Sequence, residues 1–498
     1  MPTPDSANIN QSQKPSLWDA LLPTISLVLM LATSVYLFSD DSSYGANQIA
    51  LMLCAFIAVA VGMKNGILWS DFEPAIYKGI GLAMSAILIL LAVGALIGTW
   101  ILSGTVPTII YFGLELMNPS WFYVSACLVC ALVSLSIGSS WTVAGTIGVG
   151  MIGVAAGLGL SIEITAGAII SGAYFGDKLS PLSDTTNLAP AVVGTDLFAH
   201  IQHLLWTTVP SIVLSLVAFA YLGLSHDTAT NTAQTQAILS LIDSTYQVSL
   251  WLLLPLLVVL LLAWKKVAAL PSILIGALLG GVFAVIFQPE VVHAFANDDS
   301  ISPAMALLKG VWIALFDGYQ SNTGNETIDS LLSRGGMSSM LNTVWLIISA
   351  MTFGAAMEKA GLLARLIEGI LSRVHSTAGL VSSTVLTCVG CNIITADQYI
   401  SIILPGRMYK LEYSRRKLAP VNLSRTLEDS ATVTSALVPW NTCGAFMAAT
   451  LGVATLAYLP YCFFNLLCPL VAIGYATLGI KMLPLDEQAT YDEPALNA

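Results

Sequence analysis

Fifteen residues between two long apolar segments, GDKLSPLSDTTNLAP from Gly176 to Pro190, set Asp177, Lys178 and Asp184 beside the hydroxyls of Ser180, Ser183, Thr185 and Thr186. A second polar stretch, EDSATVTSALVPWNTCG from Glu428 to Gly444, supplies Glu428, Asp429, Ser430, Thr432, Thr434 and Asn441. Two shorter interruptions add Ser139 and Ser140 within GSSWT (138–142), and Asn392, Thr395 and Asp397 within GCNIITAD (390–397). Carboxylates, hydroxyls and amide oxygens are the donors that a hard cation such as sodium prefers, about five or six at a time. The chemistry implied is cation binding, with Na+ expected at Asp177, Asp184 and Asp429. The adjacent acids Glu428 and Asp429 also suit proton coupling, because two close carboxylates do not both ionise easily. Asp177 belongs with them as a third proton-coupling candidate.

The elements that carry these groups are apolar. The chain has 498 residues, of which 56% are hydrophobic and only 9% charged, with a mean hydropathy of +0.81. Apolar runs of about 17 to 25 residues recur along it, each long enough to cross a bilayer core as a helix. No segment remains for a soluble catalytic domain, so an enzyme is not expected. The net charge of −11 comes with no basic patch, which excludes a nucleic-acid partner. Eight cysteines include two CxxC pairs, Cys127/Cys130 and Cys388/Cys391, inside apolar helices without His neighbours, and read as packing residues.

Polar breaks inside such helices need a reason. An unpaired peptide group in hydrocarbon costs several kcal/mol, so irregular backbone at membrane depth persists only where it lines a cavity or is buried in protein. An ionised Asp at the bilayer centre costs about 2.5 kcal/mol or more. The stretches Gly176–Thr186 and Glu428–Ser435 are therefore expected to be unwound helices, and Gly138–Thr142 and Gly390–Asp397 the tips of re-entrant hairpins. Unwinding would let Lys178 turn towards Asp177 and hold it ionised, leaving Glu428/Asp429 to carry the proton. On a regular helix the two side chains would diverge by about 100°. His200 and His203 are read as interfacial residues near the cytoplasmic end of the first broken helix, with internal pH sensing as the sharper alternative.

The expected organisation is a cytoplasmic tail over 1–16, a first repeat over 17–224, an extracytoplasmic linker over 225–248, a second repeat over 249–480 and an acidic cytoplasmic tail over 481–498. The amphipathic stretch Lys359–His375 lies on the cytoplasmic surface. Leu-Leu-Pro occurs at 21–23 and again at 253–255, and an offset of 252 relates Gly138 to Gly390 and Asp177 to Asp429. Each half holds an odd number of crossings, which makes the repeats inverted. With the N-terminus inside, all of the 18 Lys and Arg except Lys178, Lys309 and Arg334 fall on the cytoplasmic side. The fold class is thus an all-α polytopic membrane protein of two inverted repeats, each with a re-entrant hairpin and a broken transmembrane helix. A channel or structural membrane protein would have no use for paired acidic breaks.

The two long motifs, with GALIGTWILSGTVP from Gly94 to Pro107, resemble the NhaC family of bacterial sodium/proton antiporters. The resemblance covers nearly the whole chain. It implies a multi-pass protein of the bacterial inner membrane with both termini cytoplasmic, exchanging Na+, and Li+ as a second cation, for H+ by alternating access. The implied partners are sodium, protons and the lipid bilayer, with a homodimer left open and no cofactor. The same resemblance takes in malate/lactate antiporters, so exchange of small organic anions stands as the alternative. At the second tip Cys391-Asn392 stands where the first has Ser139-Ser140.

Overall fold

The computed structural model describes residues 14–38, 42, 44–225, 232–298, 300–322, 329 and 332–485. Most of the expected N-terminal tail and 486–498 of the acidic tail lie outside the described residues. The first half runs α1 (Leu17–Phe38), α2 (Ala46–Lys64), α3 (Trp69–Leu82), α4 (Met84–Leu102), α5 (Thr105–Leu116), α6 (Phe122–Ile137), α7 (Ser140–Val143), α8 (Val149–Gly157), α9 (Ile162–Leu179), α10 (Asp184–Val193) and α11 (Leu197–Leu224). After α12 (Thr232–Thr245) come α13 (Leu254–Trp264), α14 (Ala269–Phe287), α15 (Pro289–Ala296), α16 (Pro303–Phe316), α17 (Leu341–Lys359), α18 (Leu362–Leu371), α19 (Thr377–Thr395), α20 (Gln398–Arg415), α21 (Pro420–Leu427), α22 (Thr442–Leu451), α23 (Thr455–Tyr458) and α24 (Phe463–Leu478). Among the described residues nine helices are long and apolar enough to cross a membrane, or up to eleven if each of two bent pairs counts as one span. The chain is a multi-pass membrane protein.

The expected linker is largely helical. In α12 and the turn after it, Ile238, Ile242 and Tyr246 recur every four residues and are buried, with Leu239 and Leu241 partly buried beside them, so that one face docks. The segment 288–338 likewise holds two helices, α15 and α16. The amphipathic stretch after Lys359 forms α18, which buries Leu362, Leu363 and Ile367.

Helix bounds in the second half repeat those of the first. Asp184–Val193 recurs as Thr442–Leu451, 258 positions on (442 less 184, 451 less 193), and Gln398–Arg415 stands in the same relation to the 140–157 stretch of α7 and α8. At this spacing Gly138 stands over Ala396 and Asp177 over Ser435, whereas the spacing of 252 read from residue types sets Asp177 over Asp429. Backbone shape, not residue type, makes the match, since Gly138 and Ala396 both take the left-handed conformation with φ of 71° and 57°.

Small residues bring α6 and α9 together. A Cβ on Gly172 would lie 2.1 Å from the Cys127 carbonyl oxygen, and one on Gly176 would lie 2.3 Å from that of Ala131. The two helices therefore run side by side in the same direction, and their C-terminal ends, Ile137 and Leu179, reach one level.

Candidate ion-binding site

Two X-Pro bonds create the breaks. The residue before a proline is pushed into extended backbone, and Ser180 before Pro181 and Val438 before Pro439 are both extended. Each break ends on a capping residue. Ser183 accepts from the Thr186 amide to start α10, and Asn441 accepts from the Cys443 amide at 3.0 Å to start α22. The carbonyls freed at the first break are met by side chains: Thr186 Oγ1 donates to those of Asp177 and Lys178, both at 3.1 Å, and Asn187 Nδ2 to that of Pro181 at 2.9 Å. The unwound segments are shorter than expected: the first falls inside the expected Gly176–Thr186 stretch, and the second lies just after the expected Glu428–Ser435. Helix α9 is regular through Leu179, Glu428–Thr432 forms a wide helical turn, and the breaks themselves are Ser180–Ser183 and Val438–Asn441.

The tips follow the same construction. Gly138 ends α6, and Ser139 caps α7 by accepting from the Thr142 amide at 3.2 Å. Helix α19 runs straight through Gly390 to Thr395, so the second turn falls at Ala396, and Asp397 caps α20 by accepting from the Ile400 amide at 2.8 Å. Tip and break are joined in the second half: the Thr442 amide donates to the Ala396 carbonyl at 2.9 Å, and Trp440 Nε1 to that of Ile393 at 2.7 Å. In the first half the tip abuts the break so closely that a Cβ on Gly138 would sit 2.7 Å from the Leu182 backbone. Gly138→Ala adds that clash to a left-handed φ, a strain of about 1–2 kcal/mol by itself. It is expected to abolish ion exchange in membranes that still contain the protein, and normal exchange by this variant would show the tip to be free of the break.

A cavity of about 490 Å³ opens where these pieces meet, lined by Ser139, Ser140, Asp177, Ser183, Asp184 and Thr185 on one wall and by Asp397, Gln398, Thr442 and Cys443 on the other. Asp177 Oδ2 accepts from the Ser140 amide at 3.1 Å and its hydroxyl at 2.7 Å. Ser139 and Thr142 hydroxyls pair at 3.0 Å, and those of Ser183 and Thr185 at 3.2 Å. The wall is thus already a set of oriented oxygens. A second cavity of about 520 Å³, lined by Asp317, Arg334, Pro439, Ala445 and Ala448 among others, lies on the other side of the segment that contributes Thr442 and Cys443 to the first.

Behind Thr185 lies a dry cluster of charge. Thr185 Oγ1 donates to Glu428 Oε1 at 3.0 Å. Lys178 Nζ donates to Asp429 Oδ1, which Thr207 Oγ1 also reaches at 2.8 Å. Lys178, Glu428 and Asp429 are each 0% exposed. The expected approach of Lys178 to Asp177 does not occur, because α9 is regular there and consecutive side chains diverge by about 100°. The ammonium instead crosses to the second half, a gap of 251 residues in sequence.

Of the other residues expected at the site, none lines the cavity. Ser180 Oγ accepts from the Leu182 amide, Thr395 Oγ1 donates to the Cys391 carbonyl, and Ser430 and Thr434 donate to carbonyls one turn back. Asn441 Nδ2 donates to Asn392 Oδ1 at 3.2 Å, Asn392 Nδ2 donates to the Ala431 carbonyl at 2.7 Å, and Thr432 offers its carbonyl to Gln398. Glu428 and Asp429 lie in the cluster. The reading of His200 and His203 as interfacial is corrected: both are fully buried, with His200 Nδ1 2.9 Å from Ser424 Oγ. Sequence reasoning missed Thr207, for which no spacing gives a signal, and Arg425, whose i,i+4 relation to Asp429 is one. All eight cysteines are free and buried.

The model of the Na+/H+ antiporter family matches residues 172–480, the span that holds both breaks and the second tip. The Na(+)/H(+) antiporter NhaC of Alkalihalophilus pseudofirmus is 41% identical over 455 residues, 91% of this chain and 94% of that one. The protein of the same name from Bacillus subtilis is 37% identical, covering 86% of this chain and 91% of its own. The Malate-2H(+)/Na(+)-lactate antiporter of Bacillus subtilis is 36% identical, covering 93% and 95%. With relatives 41% and 37% identical that cover most of both chains, this chain belongs to the Na+/H+ antiporter family, among the NhaC proteins its polar motifs resemble.

Proposed function

We propose that this protein exchanges sodium, with lithium as a second cation, for protons by alternating access, in a bacterial inner membrane with both termini cytoplasmic. The observation that carries this reading is the cavity at the meeting of one tip and one break from each half, walled by Asp177, Asp184 and the hydroxyls of Ser139, Ser183 and Thr185. The cation is held there. Glu428, one hydroxyl away behind Thr185, exchanges the proton. Competition between cation and proton for a shared set of carboxylates is sufficient for antiport.

Inverted repeats with re-entrant hairpins are supported by the directions of matched helices. Gly79 just before α4 meets Ala355 in α17, while Gly94 in α4 meets Met340 just before α17, so this matched pair runs antiparallel. Helices α11 and α24 do likewise, with Phe219 on Phe463 and Trp206 under Lys481. Two halves related in this way offer the same site to opposite sides, and the thin wall at Pro439–Ala448 between the two cavities is the barrier to be moved.

Sodium added to everted vesicles that contain the protein is expected to release an imposed proton gradient, and no response at any pH would end this reading. The second reading, coupled exchange of small organic anions, is favoured by the relative named for malate and lactate. Uptake of labelled malate or lactate into the same vesicles distinguishes the two. Glu428→Gln is expected to flatten the pH dependence of exchange while labelled-sodium counterflow, which needs no proton, persists. Equal loss of both would remove Glu428 from proton coupling. Asp298→Asn is the matched control: the hydrogen bond from Lys309 holds the Asp298 carboxyl at about 2, so it does not titrate in the working range, and its replacement should leave the profile unchanged.

A further inference from the structure

Arg425 takes no part in the cavity, yet its side chain is fully buried one turn before Asp429. A guanidinium keeps its proton at any physiological pH, and burying it without a carboxylate partner costs several kcal/mol. The carboxylate it faces is Asp429, whose Oδ2 lies 4.0 Å from Arg425 Nε. Among the described residues neither atom has a hydrogen-bond partner. A buried orphan donor facing a buried orphan acceptor, about 1 Å beyond bonding distance, marks a contact that closes in another setting of the same site.

The last described segment of the chain holds the guanidinium back. Arg425 Nη1 donates to the Lys481 carbonyl at 3.0 Å, and Nη2 meets Met482 Sδ at 3.4 Å. This strap is pinned in turn. Asn422 accepts from the Leu483 amide at 3.0 Å and donates to its carbonyl at 2.8 Å, while the Lys481 ammonium sits 3.8 Å above the Trp206 ring. On the far side of the carboxylate, Oδ1 is taken by Lys178 and Thr207.

We propose that Arg425 is a positioning residue for ion exchange: it is the second cationic partner of Asp429, closing on Oδ2 when Lys178 is drawn off Oδ1, with the Lys481–Met482 strap setting its reach. This role rests on the exchange reading above. Lys178 shares α9 with Asp177, so a cation arriving at Asp177 displaces the backbone that carries the ammonium, and Asp429 then needs another counter-charge. A partner that never deprotonates supplies that counter-charge at every working pH.

The test uses full-length protein in proteoliposomes, with turnover expressed per folded molecule and sodium as the probe. Arg425→Gln is expected to lower turnover about tenfold, within the range by which residues of one charge network couple, while half-saturating sodium stays within about twofold. Arg425→Lys keeps a cation that can approach Asp429 and should retain most of the turnover. Asn422→Ala loosens the strap without removing a charge. It should slow turnover severalfold in the Arg425 background and have no further effect beside Arg425→Lys or Arg425→Gln. If Arg425→Gln does not fold, the Asn422→Ala and Arg425→Lys pair decides. The role is overturned if Lys is as damaging as Gln, if half-saturating sodium moves as far as turnover, or if the Asn422 effect persists in either Arg425 variant. Absence of sodium-driven exchange by the unsubstituted protein would instead overturn the functional reading, and this role with it.

Discussion

Asp177→Asn is expected to abolish sodium-dependent proton movement at every pH tested. Its Oδ2 is fixed by the amide and hydroxyl of Ser140, and the carboxylate stands on the cavity wall with Asp184, Ser183 and Thr185. The amide isostere keeps the shape and loses the charge. Contacts to a charged group are worth about 1.5–3 kcal/mol, so half-saturating sodium should rise by up to roughly a hundredfold. Sodium pulses into everted vesicles, normalised to folded protein, measure this. A variant with ordinary half-saturation would place the cation elsewhere.

Asp429→Asn should cost stability rather than affinity, because Asp429 lies behind the cavity and not on it. Removing its charge strands two fully buried cations, Lys178 and Arg425, around a neutral amide. Breaking a buried pair typically costs about 3–5 kcal/mol. Lys178→Met is expected to cost less, because Arg425 is 4.0 Å from the remaining carboxylate and takes up the charge. Thermal unfolding in detergent, followed by a thiol-reactive dye that reaches the eight buried cysteines only on opening, ranks the two variants. Lys178→Met proving the more damaging, or Asp429→Asn proving silent, would contradict this account of the cluster.

The mispairing of Lys178 in the sequence reading has one local cause. The stretch Gly176–Thr186 reads as unwound throughout, but only the X-Pro step at Ser180-Pro181 breaks the helix, and everything up to Leu179 keeps its 100° spacing. Residue type sets Asp177 over Asp429, whereas the spacing between the two breaks sets it over Ser435. Arg425 stood in plain view four residues before Asp429, but only burial turns an arginine in an amphipathic helix into a charge that demands a partner.

What the sequence by itself determined is what depends on neighbours along the chain. Hydropathy marked the apolar spans, since the bilayer selects for runs of about 20 apolar residues wherever they fall. Polar interruptions of the apolar runs marked the breaks to within a few positions, and the oxygen-rich motifs marked the cavity wall. Which charges meet was decided only by the tertiary structure. Lys178 and Asp429 are 251 residues apart, Thr207 and Asp429 are 222 apart, and Arg425 reaches the Lys481 carbonyl across 56. Such pairings follow from how whole helices pack, through small residues such as Gly172 and Gly176 that set the depth of α9 against α6. No local pattern encodes that depth, so the candidate donors could be named from sequence while the division between cavity wall and buried charge cluster could not.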